Sequence, residues 1–514
     1  MKPLIAIFIT FSLLLCLFAG CGRASTGDHT PTGDGLSWDE TTTPSNDDPI
    51  DDQVQELTLT YYEEHTMNPY QCTEYTNQAL FSLLYQGLFV VDRNYNVSPL
   101  LCKNYKVSNG NSTYTFYPEA ATFSDGSVLT AEDVAASLKA AKSSNIYKGR
   151  FHLVTSISVS SDGGVVVKLK TPYENFPLLL DLPIIKASEI NSDRPLGTGP
   201  YKFEETPGGM QLRKRTDWWC SANLVVTAPY ISLVKAKSTT QIRDEFQFGD
   251  VDMVYADPGS DSYADFRCDY ELWDSENGIF LYLACSSKSA VFSNKAVRTA
   301  LTHAINRELL ADTYYRGFAR AATLPASPLF PHYNTSLAEQ YGYDAAKFTS
   351  VLEEQKLTGS TVVLLVNKDD SLRLRAARAI GEMLTQCGLV VKMKELNTSS
   401  YLSALKSQNY DLYFGQTKLS ANMDLSAFFS TSGTLNYGGI SNTSAYMLSL
   451  EALANTGNYY SLHKTVMDNG LLCPVLFRSY AVYTNRGVLS GMTPARDNVF
   501  YYTIGKSMAD ALIK

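Results

Sequence analysis

The residue types that carry out catalysis are scattered along this chain of 514 residues. Its histidines lie far apart in the sequence, at His29, His65, His152, His303, His332 and His463. Neither the His-Glu-x-x-His pattern of zinc hydrolases nor the Gly-x-Ser-x-Gly turn of serine hydrolases occurs. Gly505-Lys506-Ser507 ends like a phosphate-binding loop, but Phe500 stands where that loop needs its first glycine. We therefore expect no enzyme, no metal site and no cofactor.

An apolar run near the start predicts an export signal that ends at Cys21. A single lysine precedes apolar residues 4–19, and two small residues come directly before the cysteine. A membrane-spanning helix needs about 20 apolar residues, so the run is short for a span. The ending Leu17-Phe18-Ala19-Gly20-Cys21 resembles the lipobox of bacterial lipoproteins, with Phe18 where Leu is more common. This resemblance implies a signal peptide at 1–20 and a lipid on Cys21.

The segment that follows, residues 21–54, is typical of a flexible tether. It is rich in Gly, Ser, Thr, Pro and Asp, and eight acidic side chains face one basic side chain, Arg23. Such a composition cannot bury enough apolar surface to offset the entropy of ordering the chain. Most of the net charge of −9 therefore lies in this tether. The remainder is nearly neutral and has no basic stripe, which argues against a nucleic-acid partner.

About 460 residues remain after the tether, enough for two or three domains. Beyond Cys16 and Cys21 there are seven cysteines, an odd number, so at least one thiol is free or pairs between molecules. No two of them have the close spacing of a zinc knuckle or a redox pair. The chain holds 33 tyrosines, which suit both ligand clefts and ordinary strand packing.

Strand and helix patterns alternate along this body, which predicts an α/β architecture. Residues 56–62, 114–117 and 165–169 alternate like strands, and residues 78–88, 294–309 and 372–389 have helical periodicity. Thr130 and Asp133 form a capping box that starts another helix. Gly197-Thr198-Gly199-Pro200 predicts a close crossing of two backbone segments, because glycine leaves room for it.

Several of these segments together resemble the family 5 extracellular solute-binding proteins, the peptide- and nickel-type binding components of bacterial ABC importers. The resemblance rests on their order along the chain: Leu84-Tyr85-Gln86-Gly87-Leu88, Thr122-Phe123-Ser124-Asp125-Gly126, Leu129-Thr130-Ala131-Glu132-Asp133-Val134, Leu196-Gly197-Thr198-Gly199-Pro200-Tyr201, Val297-Arg298-Thr299-Ala300-Leu301 and Tyr410-Asp411-Leu412-Tyr413-Phe414-Gly415. Each motif is weak by itself, whereas the ordered set over residues 57–510 is specific.

The resemblance implies a two-lobed, periplasmic-binding-protein-like fold of the large type II form, with a hinged cleft between the lobes. The first lobe would comprise residues 55–265 and 485–514, with an inserted subdomain at about 77–194. The second lobe would comprise residues 270–484. A ligand would bind in the interlobe cleft, the usual place for small-molecule sites.

The resemblance also implies two walls of the ligand site. The first is the turn before an Asn-Pro pair, with Glu63, Glu64, His65, Met67 and Asn68. The second follows the strand ending near Gly415, with Gln416, Thr417 and Asp424. Peptide-binding relatives carry Gly-Trp and then an aspartate for the ligand's ammonium group. Here Gln416 replaces the tryptophan and Leu419 the aspartate, so Asp424 or Glu64 is the candidate anchor.

We therefore expect a lipid-anchored binding protein, monomeric, on the outer face of the cytoplasmic membrane. It would capture oligopeptides or similar small solutes and deliver them to an ABC permease and its ATPase. A nickel chelate or another non-peptide solute is an alternative ligand, and His65 keeps the nickel alternative open. A receptor that senses the ligand without importing it is a further alternative.

The lipidation hypothesis predicts that Cys21→Ser releases the protein from the membrane. Without the thiol no lipid can be attached, and the cleaved chain would have no other anchor. Fractionation of cells that express each form measures this. Unchanged membrane retention of the variant would mean that the apolar segment itself is the anchor.

Overall fold

The computed structural model describes residues 57–221, 228–258, 266–489 and 492–500. All of them belong to the unit Val54–Lys514. The predicted signal peptide at 1–20, the tether at 21–54 with Cys21, and residues 501–514 of the expected first lobe lie outside the described residues. Within the described ranges, no helix has both the length and the apolar composition needed to cross a bilayer.

The described elements are strands and helices in alternation. The strands are β1 (Leu57–Tyr61), β2 (Phe89–Val91), β3 (Val97–Pro99), β4 (Cys102–Ser108), β5 (Thr113–Pro118), β6 (Val154–Val159), β7 (Val165–Leu169), β8 (Tyr201–Thr206), β9 (Gly209–Lys214), β10 (Tyr230–Lys235), β11 (Met253–Ala256), β12 (Tyr270–Cys285), β13 (Ala319–Ala321), β14 (Thr361–Asn367), β15 (Val390–Leu396), β16 (Leu412–Lys418) and β17 (Cys473–Asn485). The helices are α1 (Tyr75–Ala79), α2 (Phe81–Leu84), α3 (Ala131–Ser143), α4 (Thr239–Phe248), α5 (Lys295–Ala300), α6 (Arg307–Leu309), α7 (Thr335–Glu339), α8 (Ala345–Glu354), α9 (Ser371–Gln386), α10 (Thr398–Ser407), α11 (Ser426–Phe429), α12 (Thr443–Ala454) and α13 (Tyr459–Asp468).

The strands form three larger sheets and one hairpin, β2-β3. The first sheet has the order β1-β10-β9-β8, and the sheet of the insertion has the order β4-β5-β7-β6. The central sheet has the order β11-β17-β12-β16-β14-β15, and β13 also pairs with β17. In the central sheet β14 runs parallel to β15 and β16. All the other strand pairs of this sheet are antiparallel.

The largest hydrophobic cluster of the first lobe includes side chains of the insertion. Leu57 and Leu233 of the first sheet belong to the same buried cluster as Phe116 and Val165 of the insertion sheet. Side chains of the segment expected as an inserted subdomain at 77–194 therefore pack together with side chains of the first sheet.

The second lobe is built on the central sheet, in which β14 and the second half of β12 are buried on both faces. Successive side chains of a strand point to opposite faces. Accordingly, Leu281 and Leu283 of β12 belong to one buried cluster, and Phe280 and Tyr282 belong to another. Helix α9 packs on the first of these faces through side chains such as Ile380.

β12 and β17 pass through both lobes as one antiparallel pair. Their register shifts between Glu276 and Ile279, where Gly278 adopts a φ of +71°. On one side of this shift Val482 and Tyr483 pack with first-lobe residues, and on the other side Val475 packs in the second lobe. The boundaries expected at 270 and 485 coincide with the paired ends of β12 and β17, whereas the change from one core to the other lies inside the two strands.

The structure confirms the predicted strands, but it does not contain two of the predicted helices as single helices. The strands near 56–62, 114–117 and 165–169 and the helix at 372–389 are confirmed as β1, β5, β7 and α9. The capping box is also confirmed: Asp133 N donates to Thr130 Oγ1 at 3.2 Å, and Thr130 N donates to Asp133 Oδ2 at 3.0 Å.

A single helix over 78–88 and another over 294–309 were wrong predictions. α2 stops at Leu84, whose carbonyl oxygen accepts a hydrogen bond from Gly199 N at 2.9 Å instead of serving a further helical turn. The second helix breaks after α5, and Arg307 donates to the freed carbonyl oxygens of Thr302 and Ile305 at 3.0 and 3.2 Å. Tertiary hydrogen bonds override the helical pattern at both places.

None of the seven cysteines in the described residues forms a disulfide. Cys72, Cys102, Cys220, Cys285, Cys387 and Cys473 are buried, and Cys268 is partly exposed. Burial raises the pKa of Cys102 to about 12 and that of Cys72 to about 11.

The predicted close crossing at residues 197–200 is confirmed, and it yields a test. A Cβ at Gly199 would lie 2.5 Å from the carbonyl carbon of Leu84, and one at Gly197 would lie 2.1 Å from Leu84 O. We expect Gly199→Ala to lower the free energy of unfolding by about 2–4 kcal/mol, because backbone atoms must move apart. Urea denaturation measures the change.

Gly208→Ala is the matched control. Its Cβ would meet only Thr206 Oγ1, at 3.7 Å, an ordinary contact. This variant should change stability by less than about 1 kcal/mol. Equal effects of the two substitutions would contradict the steric argument.

Candidate functional site

A cavity of about 580 Å³, the interlobe cavity, is lined by residues of both lobes. The first lobe lines it with α1, α2 and the segment 146–152, and the second lobe with residues 417–420 and the segment around α11. The C-terminal segment adds Arg496, Asp497 and Val499. Its volume is within the range of about 300–1,000 Å³ that small-molecule sites have.

The cavity wall combines apolar and polar surface. Phe81, Tyr147 and Tyr255 contribute aromatic rings from the first-lobe side, and Leu435 and Tyr446 contribute from the second lobe. Several hydroxyl groups line the second-lobe side: Thr417, Ser420, Ser426, Ser430, Ser432 and Thr434. Such a wall can pack against an apolar portion of a ligand and also hydrogen-bond to its polar groups.

Two predicted site residues, Thr417 and Asp424, line this cavity. Asp424 already has partners: Oδ1 accepts from Ser426 N at 2.9 Å, and Oδ2 accepts from Ser426 Oγ at 3.1 Å. Asp424 Oδ2 also lies 3.1 Å from Nε2 of His152. The aspartate therefore links the segment before α11 to the first lobe.

Gln416 does not line the cavity. Its Oε1 accepts from Arg478 Nη1 at 3.2 Å. Leu419, which stands where relatives were expected to carry an aspartate, has a 4% exposed side chain, and its carbonyl oxygen accepts from Arg496 Nη2. At this position the cavity thus has an arginine held by the backbone in place of a carboxylate.

The first predicted wall lies elsewhere. Glu63, Glu64, His65 and Met67 line a separate cavity of about 400 Å³, whose opposite side is residues 192–194 of the same lobe. Glu63 forms an ion pair with Lys235 at 2.7 Å. The structure thus places the two predicted walls in two different cavities.

The side chain of Asn68 forms hydrogen bonds with backbone groups of the first lobe. Its side chain is fully buried, and Nδ2 donates to the carbonyl oxygens of Ile190 and Ser192, each at 2.9 Å. Its Oδ1 accepts from Tyr70 N at 3.0 Å. With its amide bonded to the backbone, Asn68 joins two loops of the first lobe.

An ionic cluster that sequence analysis missed lines the interlobe cavity. Asp497 accepts from Lys418 through Oδ1, and its Oδ2 lies 3.1 Å from Arg150 Nη2 and 3.6 Å from Arg496 Nε. Arg150 also pairs with Asp181. The cations come from the insertion, from β16 and from the C-terminal segment, so Asp497 connects three parts of the chain.

The backbone at Asp497 helps to place its carboxylate. Its φ is +59°, in the left-handed region that aspartate tolerates better than most residues. Burial raises the pKa of Asp497, but Lys418, Arg496 and Arg150 lower it by more, so the pKa is well below its usual range. Asp497 is therefore ionised at neutral pH.

The sequence contains only weak indications of the residues of this ionic cluster. Lys418 lies within the loop that the sequence already marked, between Gln416 and Asp424. Arg496 and Asp497 lie in the short segment expected to return to the first lobe, and Arg150 follows the predicted helix after Thr130. Nothing in the sequence indicates that these positions, up to 347 residues apart, meet at one aspartate.

The wall groups favour binding over catalysis. The two ring nitrogens of His152 lie 3.1 Å from Asp424 Oδ2 and 3.1 Å from Gly149 O, so the imidazole has no free nitrogen to act as a base on a ligand. Among the described residues, no group of three or more His, Cys, Asp or Glu side chains converges as metal ligands would.

Two lobes with separate cores, joined by continuous strands and enclosing a cavity, define the class of two-lobed solute-binding proteins. The match to the family described as "Bacterial extracellular solute-binding proteins, family 5 Middle" covers residues 96–438. The chain belongs to this family, the substrate-binding proteins of ABC importers. The predicted family and fold are confirmed, and members of this family are transport proteins, not enzymes.

Individual relatives are distant. Oligopeptide-binding protein AppA of Bacillus subtilis (strain 168) is 24% identical over 389 residues, covering 67% of this chain and 69% of AppA. Glutathione-binding protein GsiB of Salmonella typhi is 24% identical over 352 residues, covering 65% of this chain and 67% of GsiB. The structure of NikZ from Campylobacter jejuni in complex with Ni(L-His) superposes with a TM-score of 0.63 at 18% identity, covering 86% of this chain and 96% of NikZ.

The ionic cluster predicts how stability depends on pH. We expect Asp497→Asn to lower the free energy of unfolding at pH 7 by about 2 kcal/mol, less than for a fully buried pair because Asp497 retains 30% exposure. Because the pKa of Asp497 is lower in the folded state, its ionised carboxylate stabilises the protein fully at pH values above the ordinary aspartate pKa of about 3.9. This stabilisation is lost as the pH falls from that value through the folded-state pKa. The difference between the two proteins should therefore shrink below about pH 4.

Urea denaturation at pH 7, 5, 4 and 3 measures this difference. Asp244→Asn is the control, because Asp244 pairs only with its neighbour Arg243 on the surface and should contribute less than about 0.5 kcal/mol. A difference that is independent of pH, or equal effects of the two substitutions, would count against the ionic cluster.

Proposed function

We propose that this protein captures oligopeptides or similar peptide-like solutes in the interlobe cavity and delivers them to an ABC permease and its ATPase. The observation that carries the proposal is the cavity itself. It has the size of a small-molecule site and draws its walls from both lobes, so a bound ligand would hold the lobes together.

The ligand class is supported by the relatives and by the wall. AppA is an oligopeptide-binding protein and GsiB a glutathione-binding protein, and glutathione is itself a modified peptide. Hydroxyl groups and aromatic rings along the wall suit a ligand that alternates amide groups with side chains. Asp424 lines the interlobe cavity but already has partners, and Glu64 lies in the other cavity, so support for either as an ammonium anchor is weak.

A nickel chelate has weaker support. His65, which kept that alternative open, lines the smaller cavity of the first lobe. His152 lines the interlobe cavity, but both its ring nitrogens have partners. A chelate would therefore need to bring most of its own ligand atoms.

Location and assembly are part of the proposal. The lipobox-like ending at Cys21 and the acidic tether behind it support anchoring by lipid on the outer face of the cytoplasmic membrane. The anchored protein is proposed to act as a monomer. An uptake assay distinguishes import from sensing. If the protein serves an importer, cells that lack it should no longer take up the labelled solute. Unchanged uptake would favour a receptor.

Ligand binding should stabilise the protein against heat. A ligand that binds only the folded state adds about 2.7 kcal/mol when its concentration is 100 times Kd. We expect a pool of di- to pentapeptides to raise the melting temperature, and pools of nickel chelates or opines to raise it less. The melting temperature is measured by differential scanning fluorimetry of the full chain.

Filling the cavity provides the matched test. Ser432 lines the cavity and is exposed, so Ser432→Trp should fold normally and weaken binding by at least about tenfold, by steric exclusion. Ser399→Trp places the same side chain on an exposed serine away from both cavities and should bind like the parent. Equal binding by both variants, or no shift with any pool, would contradict the proposal.

A further inference from the structure

The interlobe cavity has more cationic than anionic groups on its wall. Arg150, Lys418 and Arg496 face it, against Asp497 and Asp424. Asp424 is engaged by Ser426 and His152. Asp497, the remaining carboxylate of the wall, lies beside all three cations, and Arg150 has a second carboxylate partner, Asp181, outside the cavity lining.

Hydrogen-bond capacity is left over on the cations. Arg496 is 4% exposed; its Nη2 donates to Leu419 O, while Nε and Nη1 have no hydrogen-bond partner among the described residues. Lys418 has three N–H donors, one of which serves Asp497, and its side chain is half exposed. A buried guanidinium with unused donors is costly unless something else accepts from it.

Arg496 is also held in a fixed position. Gly278 leaves the space that its guanidinium occupies: a Cβ at Gly278 would lie 2.5 Å from the guanidinium carbon. The bond to Leu419 O fixes the other side of the group. A donor held in place before binding loses little freedom when a ligand arrives.

We propose that the ligand presents a carboxylate, or another anionic group, to Arg496 and Lys418 in the interlobe cavity. This inference rests on the proposed function and specifies the chemistry of its ligand. The anion accepts from the unused donors of these two cations beside Asp497, which remains their internal partner.

The same wall disfavours a ligand ammonium group. An ammonium near Asp497 would lie beside Lys418, Arg150 and Arg496, whose charges repel it. A free amino terminus therefore contributes little, and a blocked one is tolerated. This site would recognise the carboxylate end of the ligand, whereas a site built around an aspartate recognises the amino terminus.

The test uses one random tripeptide pool synthesised in three forms: unmodified, C-terminally amidated, and N-acetylated with a free carboxylate. Titration calorimetry on the full chain should give similar affinities for the two carboxylate forms. The amidated form should bind about 10- to 100-fold more weakly, the effect of losing a charge-assisted hydrogen bond.

Lys418→Met should remove most of this preference for the carboxylate forms. Lys464→Met is its control, since Lys464 is similarly exposed and similarly paired with a carboxylate, Asp468, but lies on the surface of α13. Arg496→Gln should act like Lys418→Met; if its buried position prevents folding, as circular dichroism will reveal, Lys418→Met decides alone.

Equal binding of the amidated and unmodified pools would overturn this inference and leave the proposed function standing. So would loss of binding on N-acetylation, or equal behaviour of Lys418→Met and Lys464→Met. If no form of the pool binds, peptide capture fails, and the inference fails with it.

Discussion

The pairing of β12 with β17 is the constraint on which the arrangement of both lobes depends. Each strand contributes side chains to the cores on both sides of the register shift near Gly278. Gly278 also makes room for the guanidinium of Arg496. The point where the sheet changes lobes is thus in direct contact with a cation of the cavity wall, so a change of angle between the lobes would also move that cation.

The cavity is held together by charge as well as by packing. Lys418 of the central sheet and Arg150 of the insertion both contact Asp497, and His152 contacts Asp424 across the same opening. Partly desolvated pairs of this kind add little net stability compared with apolar packing, but they are sensitive to geometry. We infer that their role is to define how the lobes meet and which charges remain for a ligand.

Much of the fold could be predicted from the sequence, because its signals are local. The capping box at Thr130, the close approach at Gly199 and the strand at 165–169 each depend on neighbouring residues. The site could not be predicted in the same way. Arg150 and Asp497 are ordinary surface residue types until the fold brings them together, and Asn68, which looked like a ligand contact, uses its amide for backbone groups.

The seven cysteines of the described residues, all unpaired, bear on the redox conditions that the folded protein tolerates. Thiol–disulfide exchange requires the thiolate, and burial keeps the thiols of Cys72, Cys102 and Cys220 protonated, with pKa values of about 11 to 12. Because none of the described cysteines is paired, the described part of the fold has no disulfide for an oxidant or isomerase to form. The native fold can pass between reducing and oxidising surroundings without forming wrong cross-links at these buried positions.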